Sequence, residues 1–85
     1  MKVLIPSALH SYTGGGRAEA RGATLGEVLA ELDRQYPGIR FRIIDEQSRV
    51  RRHIRIFVNG ISAETFSQEM QPDDDVVIVQ ALSGG

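Results

Sequence analysis

The strongest pattern in the chain is a helical one between residues 24 and 38. Five apolar or aromatic residues recur there every three or four positions, which places them on one face of a helix. They are Leu25, Val28, Leu29, Leu32 and Tyr36. Thr24 and Glu27 have the spacing of a capping box, and Pro37-Gly38 ends the helix. A helix of about three turns is not stable alone, so we expect it to pack on a sheet.

Apolar runs on both sides of this helix predict strands. Lys2–Ile5 favours a strand at the start of the chain. Arg17–Arg21 is typical of an edge strand, which returns from the glycines at 14–16 as a β-hairpin with a mobile tip. Between His53 and Val58 two sets of residues alternate, and Asn59-Gly60 predicts a tight turn. The chain therefore carries strands both before and after its helix.

Two shorter segments complete the fold prediction. Ile39–Ile44 mixes apolar residues with arginines, and it is too short for periodicity to separate a helical turn from a strand. Val76–Val79 is apolar on both faces, which predicts a central strand with a layer on each side. The order β-β-α-β-β predicts an α+β, ubiquitin-like β-grasp fold. Its mixed sheet has four to five strands, one main helix across it, and the first and last strands parallel in the middle.

Length and composition limit the class of protein. At 85 residues with 41% hydrophobic and 25% charged residues, the chain predicts one small domain, residues 1–81, followed by a flexible tail, 82–85. A net charge of −1 argues against a general nucleic-acid binder. No apolar run reaches the length of a membrane span. We therefore expect a cytoplasmic domain without membrane or nucleic-acid partners.

Candidate chemistry is sparse. The absence of cysteine excludes disulfides and any thiol of the protein's own that could carry sulfur. His10 and His53 lack the spacing of metal ligands. The glycines at 14–16 lack the Lys-Ser/Thr of a P-loop, and the aspartates at 73–75 lack the pattern of a calcium loop. We expect no catalytic residues, no metal and no bound cofactor, so the chain is not predicted to be an enzyme.

A basic cluster surrounds His53, and two interpretations of it stay open. Its members are Arg49, Arg51, Arg52 and Arg55. A near-neutral domain commonly carries such residues as a solvated face. The functional alternative is an acidic protein partner.

The end of the chain, Ser83-Gly84-Gly85, carries the main functional signal. Glycines lack a Cβ and can lie extended in a narrow channel. The pKa of a terminal carboxyl group is roughly 3.5, so it is ionised at neutral pH and is a poor acyl electrophile. An ATP-dependent partner would have to adenylate Gly85 before a nucleophile could attack it. The alternative interpretation is a frayed end without function.

These features together resemble the ThiS/MoaD family of ubiquitin-like sulfur carriers over essentially the whole chain. The matching segments are 2–6, 24–29, 36–38, 54–60, the acidic turn before Val76–Val79 and the Gly-Gly end. Within the family, residues 13–15, the longer middle segment and residues 81–85 look most like the carriers of cysteine biosynthesis. Molybdopterin-synthase small subunits share the length and the ending, but they usually have a more aromatic, proline-rich final segment.

The resemblance implies that partner enzymes act on this chain. An E1-like adenylyltransferase of the ThiF/MoeB type would use ATP to adenylate Gly85, and a sulfur source would convert the product to a thiocarboxylate. A client such as a pyridoxal-phosphate-dependent cysteine synthase would take the sulfur. A JAMM-type metalloprotease would then free the product. Cysteine biosynthesis is the first expectation. The alternatives are a molybdopterin-synthase small subunit, a ubiquitin-like protein modifier and a β-grasp interaction module.

Strand alternation predicts where a partner docks. If Val76 and Ile78 join the core, the remaining apolar residues of the last two long strands form an exposed patch near the tail. By resemblance, this is the surface that ubiquitin-like proteins offer to partners. The candidate docking residues are Phe57, Val77, Val79, Leu82 and Arg55. The alternative is that either set is core and a loop covers the other.

Overall fold

A five-stranded mixed sheet forms the centre of the fold. The computed structural model describes residues 1–63 and 65–81. The strands are β1 (Lys2–Leu4), β2 (Arg17–Glu19), β3 (Ile54–Val58), β4 (Ile61–Ser62) and β5 (Asp75–Gln80). The helices are α1 (His10–Thr13), α2 (Leu25–Gln35) and α3 (Ile39–Ile43).

The strand order is β2-β1-β5-β3-β4, and it confirms the predicted α+β architecture. β1 and β5 are parallel neighbours in the middle of the sheet, with Val3 paired to Val76. The other pairings are antiparallel, and Ile56 lies opposite Ile78 between β3 and β5. The sheet is therefore mixed, as the apolar strands near both ends of the chain predicted.

Helix α2 begins and ends where the sequence predicts. The Thr24 hydroxyl accepts a hydrogen bond from the Glu27 amide at 3.2 Å. The Glu27 carboxylate accepts from the Ala23 amide at 3.3 Å, one residue earlier than in a standard capping box. The last helical residue is Gln35, directly before Tyr36 and Pro37. The helix thus has a satisfied N-terminus and a defined stop.

The core lies between α2, α3 and one face of the sheet. It is entirely apolar among the described residues, with no buried polar or charged side chain. Fully covered side chains from helices and strands meet there: Val3, Val28, Leu29, Leu32, Ile39, Ile43 and Val76. Each such side chain contributes about 1.5–3 kcal/mol to folding. The core also holds the sheet's central strands in register, because a shift by one residue would expose them.

The connection from β1 to β2 differs from the predicted hairpin tip. Residues Ser7–Leu9 form a 3₁₀ turn that leads into α1, and Gly14 ends that helix at a φ of 77°. Leu9 is buried in the core, and a His10 ring nitrogen, Nε2, lies 2.8 Å from the Ile5 carbonyl oxygen. The burial of Leu9 favours the helical turns. Their length is too short for a periodic pattern to reveal them.

The structure also decides the two shorter segments. Ile39–Ile43 is helical, because Ile39 and Ile43 are four positions apart and both enter the core. The Asp33 carboxylate accepts from the Gly38 and Arg40 amides and ties this helix to α2. The expected layer on each side of β5 is wrong in one respect. Val79 is 36% exposed, so that face of the sheet is open to solvent there.

The turn between β3 and β4 is hydrogen-bonded to the start of β5. Asn59 and Gly60 have φ values of 52° and 83°, as a two-residue hairpin turn requires. The Asn59 side chain accepts from the Asp75 amide and donates to the Asp74 carboxylate, both at 2.9 Å. Hydrogen bonds from the Gln71 amide and from Asn59 lower the pKa of Asp74 below its usual value. The sequence signal at Asn59-Gly60 is confirmed.

The cap of α2 can be tested by removing the Thr24 hydroxyl group. Thr24→Ala removes the oxygen that accepts from the Glu27 amide, and we expect a loss of about 1 kcal/mol in the free energy of unfolding. Thr24→Ser keeps that oxygen and is expected to stay within about 0.5 kcal/mol of the wild type. Urea unfolding followed by circular dichroism measures both. Equal losses in the two variants would contradict a capping role.

Candidate functional site

The candidate site begins where the chain leaves the sheet. β5 ends at Gln80, and the amide of the next residue, Ala81, donates to the His53 carbonyl oxygen at 2.7 Å. This bond extends the pairing of β5 with the chain just before β3. We call Gln80 and Ala81 the tail root. The predicted tail, which includes the candidate docking residue Leu82, lies outside the described part of the chain: Leu82, Ser83, Gly84 and Gly85.

Four apolar side chains occupy the sheet face opposite the helices, which we call the open face. Phe57 of β3 lies opposite Val77 on one edge of β5, and Leu4 of β1 pairs with Val77 on the other edge. Phe57 and Val77 are half-buried, whereas Leu4 and Val79 are each 36% exposed. Val76 and Ile78 are in the core instead. The structure therefore brings together three of the predicted docking residues, Phe57, Val77 and Val79.

Leu4 is a member of the open face that the sequence reasoning missed. Its neighbour Val3 is buried, so alternation alone places Leu4 on the outer face of β1. Its contact with the patch depends on the parallel register that sets Leu4 beside Val77. The sequence predicted that the first and last strands are parallel neighbours. It did not predict their register, which is what places Leu4 beside Val77.

Charged residues border the open face. Arg55 lies opposite Val79, and its Nη1 donates to the carbonyl oxygens of Arg52 at 3.1 Å and Ile54 at 2.8 Å. The guanidinium is thus held along the backbone beside the patch. At the start of β5, Lys2 pairs with Asp75. The apolar surface therefore lies between charged rows and extends toward the tail root through Val79.

Metal-ligand clusters and membrane-spanning helices are both absent from residues 1–63 and 65–81. No group of three or more His, Asp or Glu side chains there could hold a metal ion. No helix in that part of the chain is both long and apolar enough for a transmembrane span. The two histidines lie on different elements: His10 contacts the Ile5 carbonyl in the β1–β2 connection, and His53 is exposed before β3.

Comparison with known proteins places this geometry in a family. Residues 3–85 match the ThiS family. The chain belongs to the ThiS family. Curated relatives of this ThiS-family chain include the sulfur carrier protein CysO of Mycobacterium tuberculosis and that of Mycobacterium bovis. Each is 34% identical over 89 residues, which cover 98% of this chain and 96% of the relative.

Solved structures agree with this assignment. Mycobacterium tuberculosis CysO superposes with a TM-score of 0.88 at 31% identity, covering 95% of this chain and 98% of that chain. A chain of the Amycolatopsis orientalis BexX/CysO complex gives 0.89 at 30% identity, covering 99% and 98%. The small archaeal modifier protein 1 of Methanosarcina acetivorans gives 0.80 at 26% identity, covering 99% and 94%. The predicted family and its resemblance to cysteine-biosynthesis carriers are confirmed.

The split of β5 between core and open face can be tested with a matched pair. Val→Thr keeps the side-chain shape and adds one hydroxyl. At Val76, which is fully buried, we expect a loss of about 1–3 kcal/mol in unfolding free energy, because the hydroxyl loses water. At the half-buried Val77 we expect a change within about 0.5 kcal/mol. Chemical denaturation of Val76→Thr and Val77→Thr measures both. A larger loss at Val77 would reverse the assignment of the two faces.

Proposed function

We propose that this ThiS-family protein is a sulfur carrier whose Gly85 carboxylate is converted to a thiocarboxylate by partner enzymes. The observation that carries the proposal is the match to sulfur carrier protein CysO at 34% identity along 98% of the chain. The family match also extends through residue 85, so it includes Gly84 and Gly85. In this role the protein is a substrate of other enzymes and performs no catalysis of its own.

The proposed chemistry has two steps at one carboxyl group, the first at its oxygen and the second at its carbon. A Gly85 carboxylate oxygen attacks the α-phosphorus of ATP, which releases pyrophosphate and leaves an acyl-adenylate. A sulfide-level nucleophile then attacks the acyl carbon and displaces AMP, which leaves the thiocarboxylate. The first step is needed because the pKa of a terminal carboxyl group, roughly 3.5, keeps it anionic and unreactive at neutral pH. The chain contains no cysteine, so the sulfur is carried on the terminal acyl carbon.

Partner enzymes need a rigid part of the carrier to hold. We assign that role to the open face, where Phe57, Val77 and Val79 present apolar surface beside Arg55. Leu82, which directly follows the tail root, would add a final apolar contact. The BexX/CysO complex offers a related example of a CysO bound to a second protein. An exposed apolar patch on a small domain commonly serves this purpose.

The similarity to CysO favours cysteine biosynthesis as the pathway that receives the sulfur from this carrier. An E1-like adenylyltransferase of the ThiF/MoeB type would load Gly85 in the cytoplasm at the expense of ATP. The sulfur would pass to a pyridoxal-phosphate-dependent cysteine synthase, and a JAMM-type metalloprotease would release the product. ATP, pyridoxal phosphate and the protease's metal belong to those partners in this scheme.

The mass of the intact protein tests the terminal chemistry. After incubation with its activating enzyme, ATP and a sulfide source, the protein should gain the mass that corresponds to exchange of one oxygen for sulfur. Deletion of Gly84 and Gly85 should abolish the exchange while the circular dichroism spectrum stays unchanged, because these residues follow the described domain. Ser83→Ala serves as a control and should be loaded normally.

Two results of this experiment would redirect the proposal. An unchanged mass with an enzyme that is active on another carrier would contradict sulfur carriage. Isopeptide-linked adducts on other proteins would instead favour a protein modifier, the second candidate, which the similarity to small archaeal modifier protein 1 supports. Lys2 is the chain's only lysine, so self-conjugation through a side chain would be confined to Lys2.

Docking on the open face can be separated from folding. Val79→Glu places a charge on the patch beside the tail root, and we expect the loading rate at limiting enzyme to fall at least about tenfold, or 1.4 kcal/mol. Ile61→Glu is the matched control. Ile61 is 74% exposed, and it pairs with the core residue Val58 and thus lies on the other side of the sheet. Equal rates for the two variants would show that the open face does not dock the activating enzyme.

A further inference from the structure

The near-neutral net charge of this protein conceals a strong separation of charge along the chain. Residues 40–55 contain six arginines and only two acidic residues. The remaining residues contain four basic and nine acidic side chains. The six arginines are Arg40, Arg42, Arg49, Arg51, Arg52 and Arg55. One segment of the molecule is therefore positive while the rest is negative.

This positive segment lines a groove. Helix α3, the chain before β3 and the end of β5 enclose a volume of about 380 Å³. The lining residues are Leu9, Phe41, Arg42, Arg51, His53, Ile54 and Gln80. None of them is acidic, and the buried side chains of Leu9 and Ile54 make the interior of the groove apolar. The groove thus combines an apolar floor with basic walls.

Arg51 is held in position inside this groove. Its Nε donates to the Phe41 carbonyl oxygen at 2.6 Å, and its guanidinium carbon lies 4.6 Å from the centre of the Phe41 ring. This cation–π contact fixes both partners. The Phe41 ring nevertheless remains 57% exposed. An arginine that is already oriented loses less conformational entropy when it binds a ligand.

One of the two carboxylates of the same segment, that of Asp45, is engaged by backbone amides of its own loop. Asp45 accepts from the amides of Gln47 at 2.9 Å and Arg49 at 3.0 Å, within its own loop. These bonds and the nearby arginines lower its pKa below the usual value. Both ion pairs of the described residues, Met1–Glu19 and Arg34–Glu31, lie outside the segment. The positive charge of the groove is therefore available for an external anion.

The groove also borders the tail root. Gln80 is one of its lining residues, and Ala81 is bonded to the backbone of His53, another lining residue. A protein that binds in the groove is thus placed beside the point where the chain departs toward Gly85. This location connects the groove with the terminal chemistry.

We propose that this groove binds an acidic segment of the enzyme that adenylates Gly85. Arg42 and Arg51 would pair with carboxylates of that segment, and Phe41 would pack against its apolar atoms. The guanidinium group suits this role because it forms two parallel hydrogen bonds with a carboxylate. The proposal rests on the proposed function, since it assumes a protein that acts on the carboxyl end.

The charge distribution favours a protein over a nucleic acid as the occupant. Nucleic-acid binding gains affinity from each phosphate that a basic side chain neutralises. The groove supplies two arginines and one histidine, and the rest of the protein is net negative, which repels an extended polyanion. A short segment with two or three carboxylates matches the groove in both size and charge.

The groove can be tested without any partner enzyme. The probe is a capped tetrapeptide with three glutamates and one leucine, titrated into ¹⁵N-labelled protein. We expect saturable shifts at the amides of Phe41, Arg42, Arg51 and His53. Arg42→Glu should weaken binding at least about tenfold, and Arg42→Gln should give a smaller loss. Arg21→Glu makes the same charge change at an exposed residue away from the groove and should stay within about twofold of the wild type.

Several outcomes of this titration would overturn the proposal. They are the absence of shifts at about 5 mM peptide, shifts spread over the whole surface, and equal losses for Arg42→Glu and Arg21→Glu. Tighter binding of a single-stranded oligonucleotide of equal charge at the same amides would assign the groove to nucleic acid instead. The ¹⁵N spectrum of each variant reports whether it remains folded.

A loading assay then separates this proposal from the proposed function. With the activating enzyme, Arg42→Glu should raise the KM for this protein about tenfold relative to Arg21→Glu. The final extent of thiocarboxylate formation should be unchanged, because Gly85 is intact. An equal KM in the two variants would refute the groove while loading itself still occurs. Loading that fails in the wild type would refute sulfur carriage, and the peptide titration would still report on the groove.

Discussion

The parallel pairing of β1 with β5 is the constraint on which the rest of the structure depends. It sets Val3 beside Val76, both fully buried, and it leaves the outer edges of the pair to β2 and β3. β5 is therefore held on both edges. A register shift of one residue would turn Val76 and Ile78 out of the core. The point where the chain leaves the sheet, at Ala81, is thus fixed by the folding of the whole domain.

The same strand supplies the core and the candidate docking surface through alternate residues. Val76 and Ile78 stabilise the domain, whereas Val77 and Val79 face the other way. Because one layer of helices covers only one side of the sheet, apolar residues on the second side remain accessible. Stability and partner binding are therefore assigned to different side chains of one short segment. Under the proposed function, a substitution on the open face would change the partner surface without removing a core side chain.

The sequence predicted the fold where patterns were long and local. The helical period from Leu25 to Tyr36 and the turn at Asn59-Gly60 were sufficient because each depends on neighbouring residues. The one-turn helix after Leu9 was missed, since its stability comes from burial of Leu9 against distant elements. Leu4 was missed as a member of the open face, because only the register of a parallel pair places it beside Val77.

The sequence predicted only part of the groove, because its lining residues come from elements that are separate along the chain. Arg51 and His53 were recognised as part of a basic cluster, but α3 adds Phe41 and Arg42 through a contact between separate elements. The cluster also divides in three dimensions. Arg49 is not among the residues that line the groove, so sequence proximity overstated its share in one surface.

The short distance from the tail root to Gly85 limits where a partner can dock. Four residues follow Ala81, and even a fully extended chain of that length spans only about 14 Å. An enzyme that acts on Gly85 must therefore hold the domain close to Ala81. The open face approaches this point through Val79, and the basic groove approaches it through Gln80. A partner that contacts both surfaces would hold the tail root between an apolar and an electrostatic contact. Such a grip raises the effective concentration of the terminal carboxylate at the active site without any contact to the carboxylate itself.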